Sequence, residues 1–429
     1  MNFHLSKLSG SPLRNAEILD HRTDVQPSPE LPPVRAVEHR FRIAIVTSIH
    51  LDFDARLWKY ATLLRRLGHE VHMVCPWAVK EGEIEGVVFH PFKRVVGRRA
   101  RSFQVPWRLG QVLLPLLPKV DVVHFHDIDI LPWMTWIALI KPVIYDVHEN
   151  YPEEMLVREW IPKPTRYLLK FCVRWMQLAC AAIIRNVVLV TEAQNEDLFG
   201  PTLRKTLVAN YAALDLRKQV KSDYMTRPLG IVFIGSQYEN NGSGLLIEIA
   251  DRLRRRLPEA KVYAIDRFAS PDYKRTLMAD VAHRGLQNTY VLLPRLKPDL
   301  IMEYLNRCTI AVAPNLRVPK QVRALPAKLF EYMAAGLPIV TSDLPQAMAI
   351  VSGSNAGLLA QPEDPDSFVS AICELAADRV YARELGQNGQ RAFVNRYSWE
   401  SQTDIIQRFY ERVLLASGPQ RLSPPEYEH

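Results

Sequence analysis

The sequence predicts an α/β protein with two successive doubly wound parallel sheets. Short apolar runs bounded by turn signals alternate with amphipathic helical stretches, which is the pattern of βαβ units. The first unit comprises FRIAIVTS at 41–48, a helical stretch at 54–67 and EVHMVCP at 70–76. The pattern restarts at LGIVFIGS, residues 229–236, after a polar segment. Such sheets bind ligands at the carboxyl ends of their strands, so we expect a site in the cleft between two domains.

The other predicted elements follow in chain order. Each strand is a short, mostly apolar run, and each helix repeats apolar residues every three or four positions. The front half adds strands at 121–126, 142–148 and 186–191, with a long helix at 165–184. The rear half adds these elements: helices at 243–256 and 326–335, strands at 260–266, 289–294, 308–314 and 338–342, and a long helical stretch at 397–416.

Domain boundaries are expected where this alternation stops. A chain of 429 residues suits about two or three domains. Residues 1–40 lack periodicity and contain PSPELPPVR, which indicates a flexible tail. The remaining segments are a front domain at 41–225, a rear domain at 226–396, a closing helix at 397–417 and a second tail at 418–429.

Composition and charge narrow the possible compartments and partners. Five scattered cysteines without a Cys-x-x-Cys pair favour reduced thiols, and therefore a cytoplasmic protein. Neither a signal peptide nor an apolar run of the ~20 residues that a spanning helix needs is found. The net charge of +8 fits an anionic membrane surface or ordinary solubility, and it fits nucleic acid only weakly.

Three front-domain stretches mix tryptophan with apolar and basic residues, as membrane-interface segments do. They are residues 105–120, 131–142 and 158–177. The alternative is that they form buried helices with snorkelling arginines. We favour buried structure for 131–142 and contact with the cytoplasmic face of the inner membrane for the other two.

The stretch PAKLFEYMAAGLPIVTSD at 326–343 carries the clearest local chemistry. Lys328 and Glu331 lie one helical turn apart near an expected helix start, where amide groups favour phosphate. The preceding loop adds Arg317, Lys320 and Arg323. Cations for phosphates and an acid for ribose hydroxyls indicate a nucleoside diphosphate. The alternative is an ordinary surface ion pair, which the same spacing produces.

The same stretch resembles the donor-nucleotide signature of retaining GT-B glycosyltransferases of family 4. Other stretches resemble this family in the family's order: SIHLDFDARLWKYATLLRRLGHEVHMV (48–74), HFHDIDILP (124–132), VIYDVHENYPEE (143–154), VANYAAL (208–214) and YSWESQTDIIQRFYERVL (397–414). The resemblance implies the GT-B fold, in which two Rossmann-like domains face a central cleft and the closing helix crosses back to the first domain.

The resemblance also implies residue roles. Glu331 would hold the ribose and Lys328 would lie near the phosphates. His148 would lie beside the donor sugar, and Asp127 would meet the acceptor at the cleft wall. For His148 the alternative is a strand-end histidine bonded to backbone; for His124 and His126 a structural role is at least as well supported as a functional one.

The first strand end brings His50, Asp54 and Arg56 to the cleft by topology, as candidate substrate-binding residues. The alternative for Asp54 is an N-cap of its helix.

Two neutral residues depart from the family's pattern. Many relatives carry cations after the first glycine of the second domain and near the next one, where this chain has Ser236 after Gly235 and Asn241 before Gly242. Lys320, Arg323 and Lys328 are expected to supply the missing charge. Otherwise the protein is a catalytically degenerate scaffold for another glycosyltransferase.

Asp127-Ile128-Asp129 spells the D-x-D motif that binds metal in the other major glycosyltransferase fold. It follows a front-domain strand, far along the chain from the donor signature, so we expect no metal and no cofactor.

The expected activity is that of a retaining, metal-independent hexosyltransferase. It would move a sugar from a UDP- or GDP-sugar to a glycan or polyprenyl-linked acceptor in surface-polysaccharide synthesis. An epimerase or phosphorylase of the same shape is the second enzyme hypothesis.

Overall fold

The computed structural model describes residues 39–49, 55–76, 82–95, 98–157, 161–198, 203–219, 222–295 and 298–416. All of them belong to one compact unit. His50, Asp54, residues 1–38 of the first predicted tail and all of the second lie outside the described residues.

The front lobe is built on an eight-stranded sheet with the order β3-β4-β2-β1-β5-β6-β7-β8. All neighbouring strands pair in parallel except β3, which is antiparallel to β4. The strands are β1 Arg42–Val46, β2 Glu70–Pro76, β3 Gly82–Ile84, β4 Val87–Phe92, β5 Val122–Phe125, β6 Val143–Val147, β7 Asn186–Leu189 and β8 Arg204–Leu207.

The rear lobe is built on a six-stranded parallel sheet with the order β11-β10-β9-β12-β13-β14. Its strands are β9 Gly230–Phe233, β10 Lys261–Ile265, β11 Tyr290–Leu293, β12 Ile310–Ala313, β13 Ile339–Ser342 and β14 Gly357–Ala360. In both sheets the strand order reverses once, between β1 and β5 and between β9 and β12. Ligands of doubly wound sheets bind at these switch points.

Fifteen helices lie in the described part of the chain. They are α1 Ala55–Arg66, α2 Arg98–Leu116, α3 Leu131–Ala138, α4 Tyr151–Val157, α5 Lys163–Ile184, α6 Glu192–Leu198, α7 Ser243–Arg256, α8 Pro271–His283, α9 Pro298–Leu305, α10 Pro319–Arg323, α11 Lys328–Ala334, α12 Pro345–Gly353, α13 Pro365–Ala377, α14 Arg379–Ala392 and α15 Thr403–Leu415.

Alternation along the strands divides the front lobe into two cores. On β1, Ala44 and Val46 enter one core with buried residues of α2, α3 and α5. Ile43 and Ile45 enter the other core with residues of α1 and α15. The front sheet is therefore covered by helices on both faces, as its continuous apolar strands require.

The helix α15 follows the rear lobe in sequence but packs on the front sheet. Its Phe409 and Tyr410 are buried in the same core as Ile43 and Leu57. Just before it, the Trp399 indole donates to the Lys59 carbonyl at 3.1 Å. The chain thus crosses between the lobes a second time.

The helix in the donor motif is shorter than predicted, since α11 begins at Lys328 and Pro326 precedes it. The amides of Leu329 and Phe330 donate to the carbonyls of Pro326 and Ala327. Those two amides are therefore engaged, and the expected use of this helix start as a phosphate site is not supported by them. Gly336 follows this helix with a φ of +67°, the left-handed conformation in which glycine commonly ends a helix.

Replacing Phe409 with alanine should lower the free energy of unfolding by about 3–5 kcal/mol, because it opens a cavity where α15 meets the front sheet. Phe409 is 1% exposed, whereas Ile405 on the same helix is 46% exposed. The matched control Ile405→Ala should stay within about 0.5 kcal/mol of wild type. Urea denaturation measures both; equal losses would contradict the assigned packing of α15.

Candidate functional site

The rear wall of the site is organised around Lys328. Its Nζ donates to Asn315 Oδ1 at 3.1 Å and lies 4.4 Å from the centre of the Phe233 ring. A Cβ atom at Gly235 would lie 2.9 Å from this Nζ and 2.4 Å from the Phe233 ring. Glycine at position 235 therefore makes room for the lysine at the carboxyl end of β9.

A chain of amide hydrogen bonds continues from Asn315. Its Nδ2 donates to Gln321 Oε1 at 2.6 Å, and Gln321 Nε2 donates to Asn241 Oδ1 at 2.8 Å. Asn241 Nδ2 in turn donates to the Ser236 carbonyl at 2.8 Å. Ser236 and Asn241 thus lie together with Lys328 at the β9–β12 switch point, although neither carries a charge.

Glu331 is half-buried and has positive charges around it. Burial raises the pKa of its carboxyl to about 7, while Lys59, Lys328 and Arg267 act in the opposite direction. Burial likewise lowers the pKa of the Lys328 ammonium to about 7, against the effect of Glu331. Both groups therefore change protonation near neutral pH, as a coupled pair.

Lys59 and Arg267 were not predicted as site residues. Lys59 lies on α1 of the front lobe, so its influence on Glu331 acts across the gap between the lobes. Its Nζ also donates to the Tyr211 carbonyl at 2.6 Å. Arg267 follows the carboxyl end of β10, a position at which the sheet topology alone could have identified it.

Lys320 and Arg323 reach from the rear lobe to the front lobe. Lys320 Nζ lies 2.6 Å from Glu154 Oε1 on α4. Arg323 Nη2 donates to the Ala193 carbonyl on α6 at 3.4 Å. These two cations, expected to compensate for Ser236 and Asn241, contact the front lobe in this arrangement; their part in phosphate binding stays a prediction.

The front wall contains the D-x-D carboxylates. Asp127 is buried, and its Oδ2 accepts hydrogen bonds from Thr47 Oγ1 and the Ser48 amide, both at 2.6 Å. Asp129 accepts a hydrogen bond from Ser48 Oγ. Asp127 thus fixes the end of β1 at the β1–β5 switch point.

A buried ion pair lies behind this wall. Arg56 Nε and Nη2 donate to Asp146 at 3.0 and 2.9 Å, and Nη2 also donates to the Val208 carbonyl at 3.1 Å. Arg56 is 6% exposed, which differs from the open position expected at the strand end. Burial alone would raise the pKa of Asp146, but Arg56 and the neighbouring histidines hold it well below the usual range.

Two histidines complete this cluster. His126 Nδ1 lies 3.4 Å and His124 Nε2 3.6 Å from Asp146 Oδ2, and His124 Nδ1 is 2.5 Å from the Tyr410 hydroxyl. Burial lowers the pKa of both imidazoles, against the effect of Asp146. His148 is half-buried at the edge of the cluster, with its ring centre 6.1 Å from that of His126.

Ligand atoms of His124, His126 and Asp146 lie within 4.8 Å of one another, close enough in geometry for a metal ion. The Asp146 carboxylate, however, already accepts both hydrogen bonds of the Arg56 guanidinium. A cation bound there would face that positive charge at short range. We therefore assign the cluster to structure and not to metal binding.

Replacing Asp146 with asparagine should lower the free energy of unfolding at pH 7 by about 3–5 kcal/mol, because the Arg56 charge is left buried without its partner. The native pKa of Asp146 lies below its unfolded value, so this contribution is present at neutral pH and is lost only in acid. The control Asp280→Asn breaks a partly exposed pair with Arg284 and should change stability by under about 1 kcal/mol. Urea titrations in which both variants matched wild type would overturn this role.

Two protein-family models match this chain, one in each lobe. A family model described as Glycosyltransferase Family 4 matches residues 55–199, in the front lobe. A second, described as Glycosyl transferases group 1, matches residues 228–378, in the rear lobe.

Individual relatives are distant in sequence. A GDP-mannose:cellobiosyl-diphosphopolyprenol alpha-mannosyltransferase of Xanthomonas oryzae is 21% identical over 342 residues, covering 77% of this chain and 83% of that protein. An uncharacterised glycosyltransferase of Methanocaldococcus jannaschii is 24% identical over 171 residues, covering 40% of this chain and 42% of that protein.

Solved structures share the fold over nearly the whole described chain. Sucrose-phosphate synthase from Thermosynechococcus elongatus superposes with a TM-score of 0.67 at 16% identity, covering 88% of this chain and 100% of that chain. Anabaena HepE in complex with UDP and glucose superposes with a TM-score of 0.66 at 13% identity, covering 87% and 100%. The predicted fold class is confirmed, and the chain belongs to the group 1 glycosyltransferases of family 4, with the GT-B fold.

Proposed function

We propose that the protein transfers a sugar from a nucleoside-diphosphate donor to a lipid-linked glycan acceptor, with retention of the anomeric configuration and without a metal ion. One observation carries the proposal. Lys328 and Glu331 lie one turn apart beside the β9–β12 switch point, and Lys59 of the front lobe influences Glu331 across the gap. A cation and an acid so placed suit the diphosphate and the ribose of one donor.

The donor's charge would be met mainly from the rear lobe. The Lys328 ammonium would contact the diphosphate, and Arg267, Lys320 and Arg323 are the nearby cations that offset the neutral Ser236. Similar proteins support a uracil or a guanine nucleotide, since one relative is a GDP-mannose-dependent transferase and one solved structure holds UDP.

A polyprenyl diphosphate-linked acceptor is supported by the name of the Xanthomonas relative. It fits a role in building surface polysaccharides. Asp127, which follows β5, would orient the acceptor hydroxyl, and His148 would lie beside the donor sugar. Retention follows if the acceptor oxygen bonds to the anomeric carbon on the face from which the diphosphate departs, while the departing diphosphate oxygen takes the acceptor's proton. The enzyme's part is then positioning and charge stabilisation.

No observation favours the scaffold or the epimerase alternatives over transfer. The neutral residues Ser236 and Asn241 lie beside a lysine that is already in place. Thermal-shift screening against UDP, GDP and ADP would identify the base, because a ligand that binds only the native state raises its melting temperature. Labelled donors incubated with polyprenyl-linked acceptor would then test transfer.

Lys328→Ala should weaken donor binding by about 10–100-fold, because a hydrogen bond to a charged group contributes about 1.5–3 kcal/mol. Glu331→Gln should weaken it by a similar factor through the loss of ribose contacts. Isothermal titration calorimetry with the nucleotide sugar measures both.

The matched control for the acid is Glu303→Gln, an exposed carboxylate on α9 that pairs with Arg307. It should leave donor affinity unchanged. If Lys328→Ala and Glu331→Gln behaved like this control, the nucleotide site would lie elsewhere.

Donor affinity should be highest near pH 7 and fall by about tenfold toward pH 5.5 and pH 8.5. Below pH 7 the Glu331 carboxyl is protonated and loses acceptor capacity; above it the Lys328 ammonium is neutral. A nucleotide sugar suits the measurement because its diphosphate diester does not titrate there. Lys328→Arg should abolish the alkaline loss, since a guanidinium stays charged. An affinity independent of pH would refute the coupled titration.

A further inference from the structure

The helix α5 has an apolar side that faces away from the protein. Leu168, Phe171 and Trp175 are spaced by three and four residues and are all exposed. On the opposite side of the helix, Ala181 and Ile184 are buried against the front sheet. By length and composition α5 is the one helix of the described chain that could span a bilayer, so the expectation that no run is long and apolar enough is wrong for this helix. Its buried side instead ties it to the folded sheet.

The helices α2 and α3 repeat this arrangement. Trp107 on α2 is 71% exposed and Trp136 on α3 is 69% exposed, whereas Leu109 and Met134 are buried. The expectation that 131–142 is a buried helix is therefore wrong for its tryptophans. One side of α3 packs on the sheet, and the other carries the indoles outward.

All three helices cover the same face of the front sheet. Their buried residues share one core with buried residues of β1, β5 and β6 that lie on this face of the sheet. The helix α3 also packs against α5. Their exposed apolar side chains therefore lie on the same side of the front lobe, and we call this set of side chains the outer apolar face. Large apolar side chains exposed together on one side of a folded protein mark an interaction site.

The charges of these helices distinguish between possible partners. The sequences of α2 and α5 contain four Arg or Lys residues each, and α2, α3 and α5 contain no Asp or Glu. Lys163 and Arg174 on α5 are exposed. Indoles beside cations are typical of side chains at a lipid headgroup boundary. A second copy of the chain would bring the same cations together across a twofold interface, which is unfavourable.

We propose that the outer apolar face docks the protein on an anionic lipid bilayer, with the exposed side of α5 lying in the headgroup region and the basic residues contacting lipid phosphates. The inference stands on this surface and not on the proposed sugar transfer. It does, however, place the membrane beside α3, whose first residue lies a few positions after Asp127 on the front wall of the site.

Vesicle binding tests the proposal without donor or acceptor. The full chain should co-sediment with phosphatidylcholine vesicles that contain about one-third phosphatidylglycerol, at least about tenfold more than with phosphatidylcholine alone. High salt should reduce this preference, because Lys163 and Arg174 are exposed to solvent. Tryptophan emission should shift to the blue as the indoles leave water. Failure to bind anionic vesicles would overturn the proposal.

The double variant Phe171→Ser/Trp175→Ser should lose at least about tenfold in vesicle partitioning. Its matched control is Val380→Ser/Ile405→Ser, which removes two exposed apolar side chains from elsewhere in the fold and should bind like wild type. The variant Lys163→Gln/Arg174→Gln should lose the preference for anionic lipid. Circular dichroism and melting temperature confirm that all variants fold.

Two results would reject a bilayer as the partner. One is equal partitioning of the Phe171→Ser/Trp175→Ser variant and its control. The other is a stable wild-type dimer in sedimentation velocity that the same variant dissociates, since the face would then join two copies of the chain.

Discussion

A buried ion pair between Arg56 and Asp146 joins three separate parts of the chain. Arg56 belongs to α1, Asp146 to β6, and the guanidinium also binds the carbonyl of Val208, just after β8. Through His124 the same cluster reaches Tyr410 on α15. Separating such a pair leaves an uncompensated charge in a dry interior, so its members stay together or the region unfolds. The front wall of the site and the anchoring of the closing helix therefore depend on one set of contacts.

The rear wall is held differently. Lys328 and Glu331 are only half-buried, and burial shifts the pKa of each group to about 7, so that neither is firmly charged without a ligand. A diphosphate beside Lys328 would raise the pKa of its ammonium, and hydroxyl donors on Glu331 would lower that of its carboxyl. The missing interactions at this wall are thus those that a nucleoside diphosphate offers. Groups with shifted pKa values in a cleft are typical of ligand sites for this reason.

The sequence could predict what depends on local pattern. The two sheets, the Lys328–Glu331 turn and the left-handed Gly336 follow from periodicity and turn chemistry. Contacts between distant residues could not be predicted, so Lys59 and Arg267 were missed and Asp146 had no assigned role. Arg56 was expected in the open cleft, yet it precedes Tyr60 by one turn on the core side of α1, and that spacing does indicate burial. For α3, the apolar sequence indicated a core helix, because composition does not reveal which side of a helix the fold covers.

The contacts between the lobes differ in strength. This difference decides which parts of the chain move when the gap between the lobes changes its width. Lys320 and Glu154 form a partly exposed ion pair, which contributes under about 1 kcal/mol. A diphosphate that attracts Lys320 therefore needs little free energy to replace Glu154. The chain crosses between the lobes after β8 and again just before α15, and these two crossing segments are joined more firmly. Gln402 exchanges hydrogen bonds of 2.7 and 3.0 Å with the Ala209 backbone, and the Trp399 amide donates to the Ala212 carbonyl at 2.8 Å. Because these segments lie side by side and the cores of both lobes are close-packed, a change in the width of the gap has to be absorbed by backbone rotation in the two crossings and not within either lobe.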